Sequence, residues 1–223
     1  MAGSASDNGR MLSDRKMMRR LILTFMAVCM SLVAAAQPAK EDIIKEIVET
    51  GSSMKSLQCS FIQTRKMSIM STEAVSEGRM HYQQPDKLRW EYVVPYKNVF
   101  VLNGSEALMQ NETRSDVVDI EQNRRFKGIA RLMTGSISGS FLSDDKSFDV
   151  SVEETPQEWV VTLVPLRREM KQMWTRIVMH FNRSQKHVNS IGLYEQNGDC
   201  TEIKFNKVVK NGAIAPETFT IAK

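Results

Sequence analysis

The chain changes hydrophobic period twice. Over residues 39–50 (AKEDIIKEIVET), Ile43, Ile44, Ile47 and Val48 recur at helical spacing with charges opposite them, which predicts an amphipathic helix ended by Gly51. From residue 56 the period falls to two. Leu57, Cys59 and Phe61 alternate with Gln58 and Ser60, Met80 and Tyr82 with His81 and Gln83, and Leu88, Trp90 and Tyr92 with Arg89 and Glu91. Each run is the pattern of a strand with one apolar face. Asn103-Gly104 joins residues 99–102 to residues 106–109, a strong hairpin signal because both residues tolerate the backbone of a tight turn. Helical spacing returns over residues 123–134, with Phe126, Ile129, Ala130 and Met133 on one face and Gly135 as the stop. Further strands are predicted at 148–152, 159–164, 173–181, 188–196, 201–209 and 218–221.

About ten short strands at meander spacing with two interspersed helices predict a mainly β (α+β) fold, a single curved antiparallel sheet. No Pro-, Ser- or Gly-rich linker, repeat or low-complexity segment divides it. Two helices are too few to form a second layer, but they suit covering the concave side of a bent sheet.

Composition then separates the N-terminus from the rest. The 223 residues are 42% hydrophobic and 25% charged, ordinary globular values, with a net charge of +4. Residues 1–36 carry Arg10, Arg15, Lys16, Arg19 and Arg20 against Asp7 and Asp14, which leaves 25 basic and 24 acidic residues elsewhere. A near-neutral folded part excludes nucleic acid as a partner. The apolar run 21–33 follows that basic segment and leads to Ala34-Ala35-Ala36, the layout of a cleaved secretory signal peptide over 1–36. The run is shorter than the roughly 20 residues of a spanning helix. Met17 offers a more usual start for such a signal than Met1. The domain itself is expected over 37–223, where Cys59 and Cys200 remain and, once exported, face conditions that permit a disulfide.

Candidate catalytic chemistry is sparse. His81, His180 and His187 stand apart from one another and from cysteine at metal-ligand spacing. Residues 135–139 (GSISG) place Ile137 where a nucleophile elbow needs serine. The acidic pairs Asp144-Asp145 and Glu153-Glu154 are the sole support for a hydrolase or isomerase. The expectation is a binding protein, not an enzyme, with no cofactor and no metal. The strongest local feature is apolar. In residues 78–102 (GRMHYQQPDKLRWEYVVPYKNVFVL), Met80, Tyr82, Leu88, Trp90, Tyr92, Val99 and Val101 share one face of three adjacent strands if parity is kept across the turns, and Phe61 joins them from the preceding strand. A plain core uses the same residues, but methionine and aromatic side chains also suit a surface that receives apolar guests.

These segments resemble, in order, the outer-membrane lipoprotein carrier (LolA) family. Ser60-Phe61-Ile62-Gln63 is similar to the family's F-x-Q strand. Gly78 opens a strand running to Pro85, and Leu88-Arg89-Trp90-Glu91-Tyr92 precedes Pro95, ten residues after the first proline. Asn103-Gly104 stands where the family has an Asp-Gly hairpin, and Glu195, Gly198, Asp199, Thr201, Ile203 and Phe205 lead to Asn211-Gly212, Ile214 and Phe219 as in its closing strands. The resemblance implies an unclosed β-barrel under a helical lid, enclosing a hydrophobic cavity. It further implies a monomeric carrier in the periplasm of a Gram-negative bacterium. Such a carrier takes acylated lipoproteins from an inner-membrane lipoprotein-releasing transporter and passes them to an outer-membrane acceptor. Phe61, Met80, Tyr82, Leu88, Trp90, Tyr92, Val99 and Val101 are then the cavity candidates. Gln84 stands directly before the first proline, where proteobacterial members have a lid-binding arginine. It is the lid-latch candidate, able to bond a carbonyl but without the guanidinium fork. Ala107-Leu108-Met109-Gln110 replaces the family's aromatic-rich strand. The alternative role on the same fold is a periplasmic lipid- or lipoprotein-binding sensor or scaffold.

Overall fold

The structure is a computed structural model that describes residues 36–221; the expected signal peptide lies outside these except for its last residue. Helix α1 (Ala36–Ser53) is longer than its apolar stripe and runs past Gly51, the expected stop, and from Ile43 onward the chain forms one compact unit. Ile43 and Ile47 are buried and Ile44 and Val48 pack beside them, as their spacing predicts. Six strands follow: β1 (Ser56–Lys66), β2 (Glu73–Gln83), β3 (Lys87–Val94), β4 (Asn98–Asn103), β5 (Glu106–Asn111) and β6 (Ser115–Asp119). Helix α2 (Arg124–Ser138) and a 3-10 turn (Ser140–Ser143) lead into β7 (Phe148–Glu154) and β8 (Glu158–Pro165). The short helix α3 (Arg168–Met173) precedes β9 (Trp174–Asn182), β10 (Val188–Glu195) and β11 (Cys200–Lys210), and a final 3-10 turn covers Pro216–Phe219.

All eleven strands form one antiparallel sheet in the order β6-β5-β4-β3-β2-β1-β11-β10-β9-β8-β7. Two meanders, β1–β6 and β7–β11, meet where β11 returns to pair with β1. The free edges are β6 and β7, so the sheet is curved but not closed, and α2 is the segment that connects one edge to the other. Irregularities in the β1–β11, β2–β3 and β9–β10 ladders supply local bends. Gly78 sits at one of them. A Cβ there would lie 2.2 Å from the Glu91 carbonyl and 2.2 Å from the Phe61 ring, so only glycine lets that ring cross β2.

The inner face carries the core: Leu57, Phe61, Met80, Tyr82 and Leu88 from one half, and Trp159, Val161, Leu163, Met179 and Phe181 from the other. A smaller cluster lies on the outer face, where Phe219, Ile214 and Ile221 of the C-terminal segment cover Val99, Val101 and Leu108. Asn103 Nδ2 fixes that segment by donating to the Phe219 carbonyl at 3.2 Å.

Two further expectations change, two short elements are added, and the open cysteine pairing is resolved. Residues 218–221 form a turn, not a strand, because they pack across the outer face without joining the ladder. Strand β6 and helix α3 escaped the pattern reading; each is too short to show a period. Gly135 does not stop α2: it lies inside the helix beneath the Phe141 ring, and the stop is Gly139 at φ 72°. Cys59 and Cys200 do not pair. Cys200 faces Lys66, seven residues along β1 from Cys59 and about 23 Å away at roughly 3.3 Å per residue. A disulfide needs Cα atoms within about 7 Å.

Candidate functional site

A cavity of about 340 Å³ lies between the inner face of the sheet and α2. One wall is Trp90 and Tyr92 of β3 with Phe100 of β4; the register pairs Trp90 directly with Phe100. The facing wall comes from β9, β10 and β11, through Ile177, Leu193, Ile203 and Phe205. Met133 and Ile137 of α2, with Phe141 of the following turn, form the roof. Beneath Trp90 the Phe61 ring stacks at 4.3 Å between centroids and meets Tyr92 edge-on at 5.3 Å. Phe205 approaches Trp90 edge-on at 6.2 Å. Such pairs hold the aromatic wall in one arrangement.

Among the described residues, no charged side chain lines this cavity. Of its polar groups, Gln63 Oε1 accepts from the Tyr92 hydroxyl at 2.9 Å, so two polar groups on one wall satisfy each other. Burial, the largest influence, pushes the Tyr92 hydroxyl above its ordinary pKa and keeps it a neutral donor. The arrangement offers mostly apolar contact, with Gln63, Tyr92 and Ser136 as the polar members of the described lining. The acids weighed at the sequence level lie elsewhere. Asp144 accepts from the Ser147 backbone N–H at 3.1 Å and shapes the turn into β7, and Glu154 pairs with Arg183 at 2.8 Å.

The structure sorts the cavity candidates into three groups. Trp90 and Tyr92 line the cavity, and Phe61 backs its wall. Met80, Tyr82 and Leu88 share that face but are fully packed in the core further along the strands. Val99 and Val101 do not belong: they pair with Glu91 and Arg89 on the outer face, under the C-terminal segment. In the run Val99-Phe100-Val101-Leu102 both faces are apolar because both are covered, so alternation carries no information about which faces inward. Phe100 was missed for that reason. The walls from β9–β11 were legible as apolar strand positions but carried no sign of which half of the sheet they would face.

Gln84 Nε2 donates to the carbonyls of Gly51 at 3.2 Å and Ser52 at 2.9 Å at the end of α1, and the Gly51 carbonyl also accepts from the Met54 N–H at 3.3 Å. The Gln84 backbone N–H donates to the Lys55 carbonyl at 3.0 Å. Gly51 in turn touches the end of α2: a Cβ on it would fall 2.2 Å from the Ser138 carbonyl. Gly139 lies against Ile47 of α1 in the same way, 3.0 Å from a built Cβ. One side chain of the turn after β2 thus reaches the roof through the end of a neighbouring helix.

An open, curved antiparallel sheet holding an apolar hollow under a helix defines the fold class. An uncharacterized conserved protein from Thermus thermophilus shares the architecture at a TM-score of 0.53, with 9% identity over 85% of this chain and 94% of that one. The Pseudomonas aeruginosa MucA/MucB complex structure does so at 0.53, with 12% identity over 82% of this chain and 61% of that one. The sequence profile of the outer membrane lipoprotein carrier protein LolA matches residues 52–222, and the chain belongs to that family. The outer-membrane lipoprotein carrier protein of Chromobacterium violaceum is 26% identical over 207 residues, covering 90% of this chain and 92% of the relative.

Proposed function

We propose that this protein shelters lipoprotein acyl chains in the cavity beneath α2 and ferries them through the periplasm of a Gram-negative bacterium as a monomer. It takes its load from an inner-membrane releasing transporter and yields it to an outer-membrane acceptor. The observation that carries this reading is a hollow whose described lining side chains are all uncharged and mostly apolar and leave it unfilled. A chain of about sixteen carbons costs on the order of 12 kcal/mol to leave in water, at about 0.8 kcal/mol per methylene. The hollow lies at the low end of the range of roughly 300–1,000 Å³ for ligand sites. A full load of two or three chains therefore requires α2 to lift. The latch suits that demand: two neutral hydrogen bonds from Gln84 are worth on the order of 1 kcal/mol each. They bias the roof toward closure without locking it.

The test is purification of the exported chain from envelope extracts, with mass spectrometry of what accompanies it. Acylated lipoproteins should co-purify and be lost in Trp90→Asp. A folded sample that carries none, from cells whose lipoproteins reach the outer membrane unchanged after depletion of the protein, overturns the proposal. The same depletion separates carrier from sensor, since only a carrier's loss strands lipoproteins at the inner membrane.

A further inference from the structure

The outer face of the sheet holds a second hollow, of about 300 Å³, where Gln58 and Ser60 of β1, Arg79 and His81 of β2 and Lys207 of β11 converge. Ser60 pairs with Arg79 and Gln58 with His81, all on the face opposite Phe61, Met80 and Tyr82. Among the described residues, no acid lines it. The side chains of Arg79 and Lys207 have no hydrogen bond or ion pair among the described residues. The acid opposite Arg79 on β3, Glu91, is engaged by Arg89 at 3.2 Å. Gln58 Nε2 donates one N–H to the Ala213 carbonyl at 3.2 Å and keeps its second.

Two further observations mark the place as built. The β1–β11 ladder slips between Gln58 and Ser60, so that two residues of β11 oppose Cys59 alone. Lys207 is one of them and takes φ 55°, the left-handed position that a bulge ordinarily gives to glycine. A lysine kept there holds strained backbone, and strain of this kind collects at functional sites. The other observation is that His81 Nδ1 is shut off from solvent with no partner among the described residues. Burial first, then the positive charge of Arg89, holds this imidazole below its ordinary pKa; Glu91 opposes that shift and Arg79 adds a smaller push in the same direction.

We infer that this hollow binds a phosphate group, gripped by the Arg79 guanidinium and the Lys207 ammonium, with the Gln58 amide as a further donor. Two unpaired cations match a group of one to two negative charges and several acceptor oxygens. Inorganic phosphate and a phospholipid headgroup offer the same chemistry. The site faces away from the cavity, so it stands or falls independently of acyl-chain binding.

The experiment titrates inorganic phosphate into the exported chain at constant ionic strength, following NMR signals of the His81 ring and the Lys207 amide. Both should shift saturably, with affinity at least tenfold weaker in Arg79→Gln and Lys207→Gly. The second variant removes a ligand while relaxing the backbone, so it should melt higher than the parent as it loses binding. A second arm sediments the protein with phosphatidylcholine vesicles, with and without phosphatidylglycerol. Recruitment by phosphatidylglycerol that Arg79→Gln abolishes assigns the headgroup; saturable phosphate binding without recruitment assigns the free anion. Phosphate shifts no larger than those from chloride, together with vesicle behaviour that neither variant alters, overturn the site.

Discussion

Trp90 and Arg89 are chain neighbours on opposite faces of β3, and the difference in face sets the difference in consequence. Trp90→Asp places an unpaired carboxylate in an apolar wall, a change worth several kcal/mol against any apolar guest. It should abolish displacement of a fluorescent fatty-acid probe, while Arg89→Ala, which loses only a contact to Glu91, leaves displacement unchanged. Equal effects at the two positions would mean that the guest does not enter this cavity. The two cysteines also differ by position. Burial pushes the Cys59 thiol up to about 12, so it stays protonated at pH 8, and the thiolate is the reactive form. Iodoacetamide at that pH should modify half-buried Cys200 in the folded protein and Cys59 only after denaturant is added; mass mapping of the adducts checks this. Face assignment was legible at the residue scale wherever one side of a strand meets water. Trp90 and Tyr92 alternate with charges and face inward, while Val99 and Val101 lie in a run covered on both sides.

At the scale of elements, the junction between α1 and α2 depends on the smallness of Gly51. Gly51→Ala drives a methyl group into the Ser138 carbonyl and should destabilise the protein by about 1–3 kcal/mol, read from urea unfolding. It should also speed release of a bound fatty-acid probe, because the roof loses its seat. Gln84→Ala severs two hydrogen bonds to the same helix end and should act in the same direction with a cost of about 1–2 kcal/mol. Stopped-flow release rates check both; a release rate in Gln84→Ala equal to the parent's removes the latch from the mechanism. The sequence revealed that α1 and α2 exist, and Ile43 and Ile47 of α1 and Ala130 of α2 are buried members of their apolar stripes. It misplaced the end of α2 because a glycine reads as a stop whether it terminates a helix or admits an aromatic ring, as Gly135 does for Phe141.

For the molecule as a whole, a cavity kept empty is stability forgone. Ile137→Trp, which adds bulk to the roof where the walls leave space, should raise the melting temperature slightly or leave it unchanged while cutting fatty-acid capacity severalfold. A filled variant that still binds fully would place the guest elsewhere. The single open sheet could be anticipated from strand count and spacing. Which half of it would wall the cavity could not, since that depends on curvature summed over eleven strands and on α2 spanning the gap between the two edges.

The joining of β1 to β11 brings strands from opposite ends of the described chain into the middle of the sheet. A polypeptide emerging N-terminus first can assemble β1–β6 early, but β1 then offers a bare row of amides and carbonyls until the last long strand arrives. During that wait the nascent half-sheet is an invitation to a neighbouring copy. Deleting β11 should therefore yield not a smaller soluble fragment but intermolecular aggregates, which light scattering would detect.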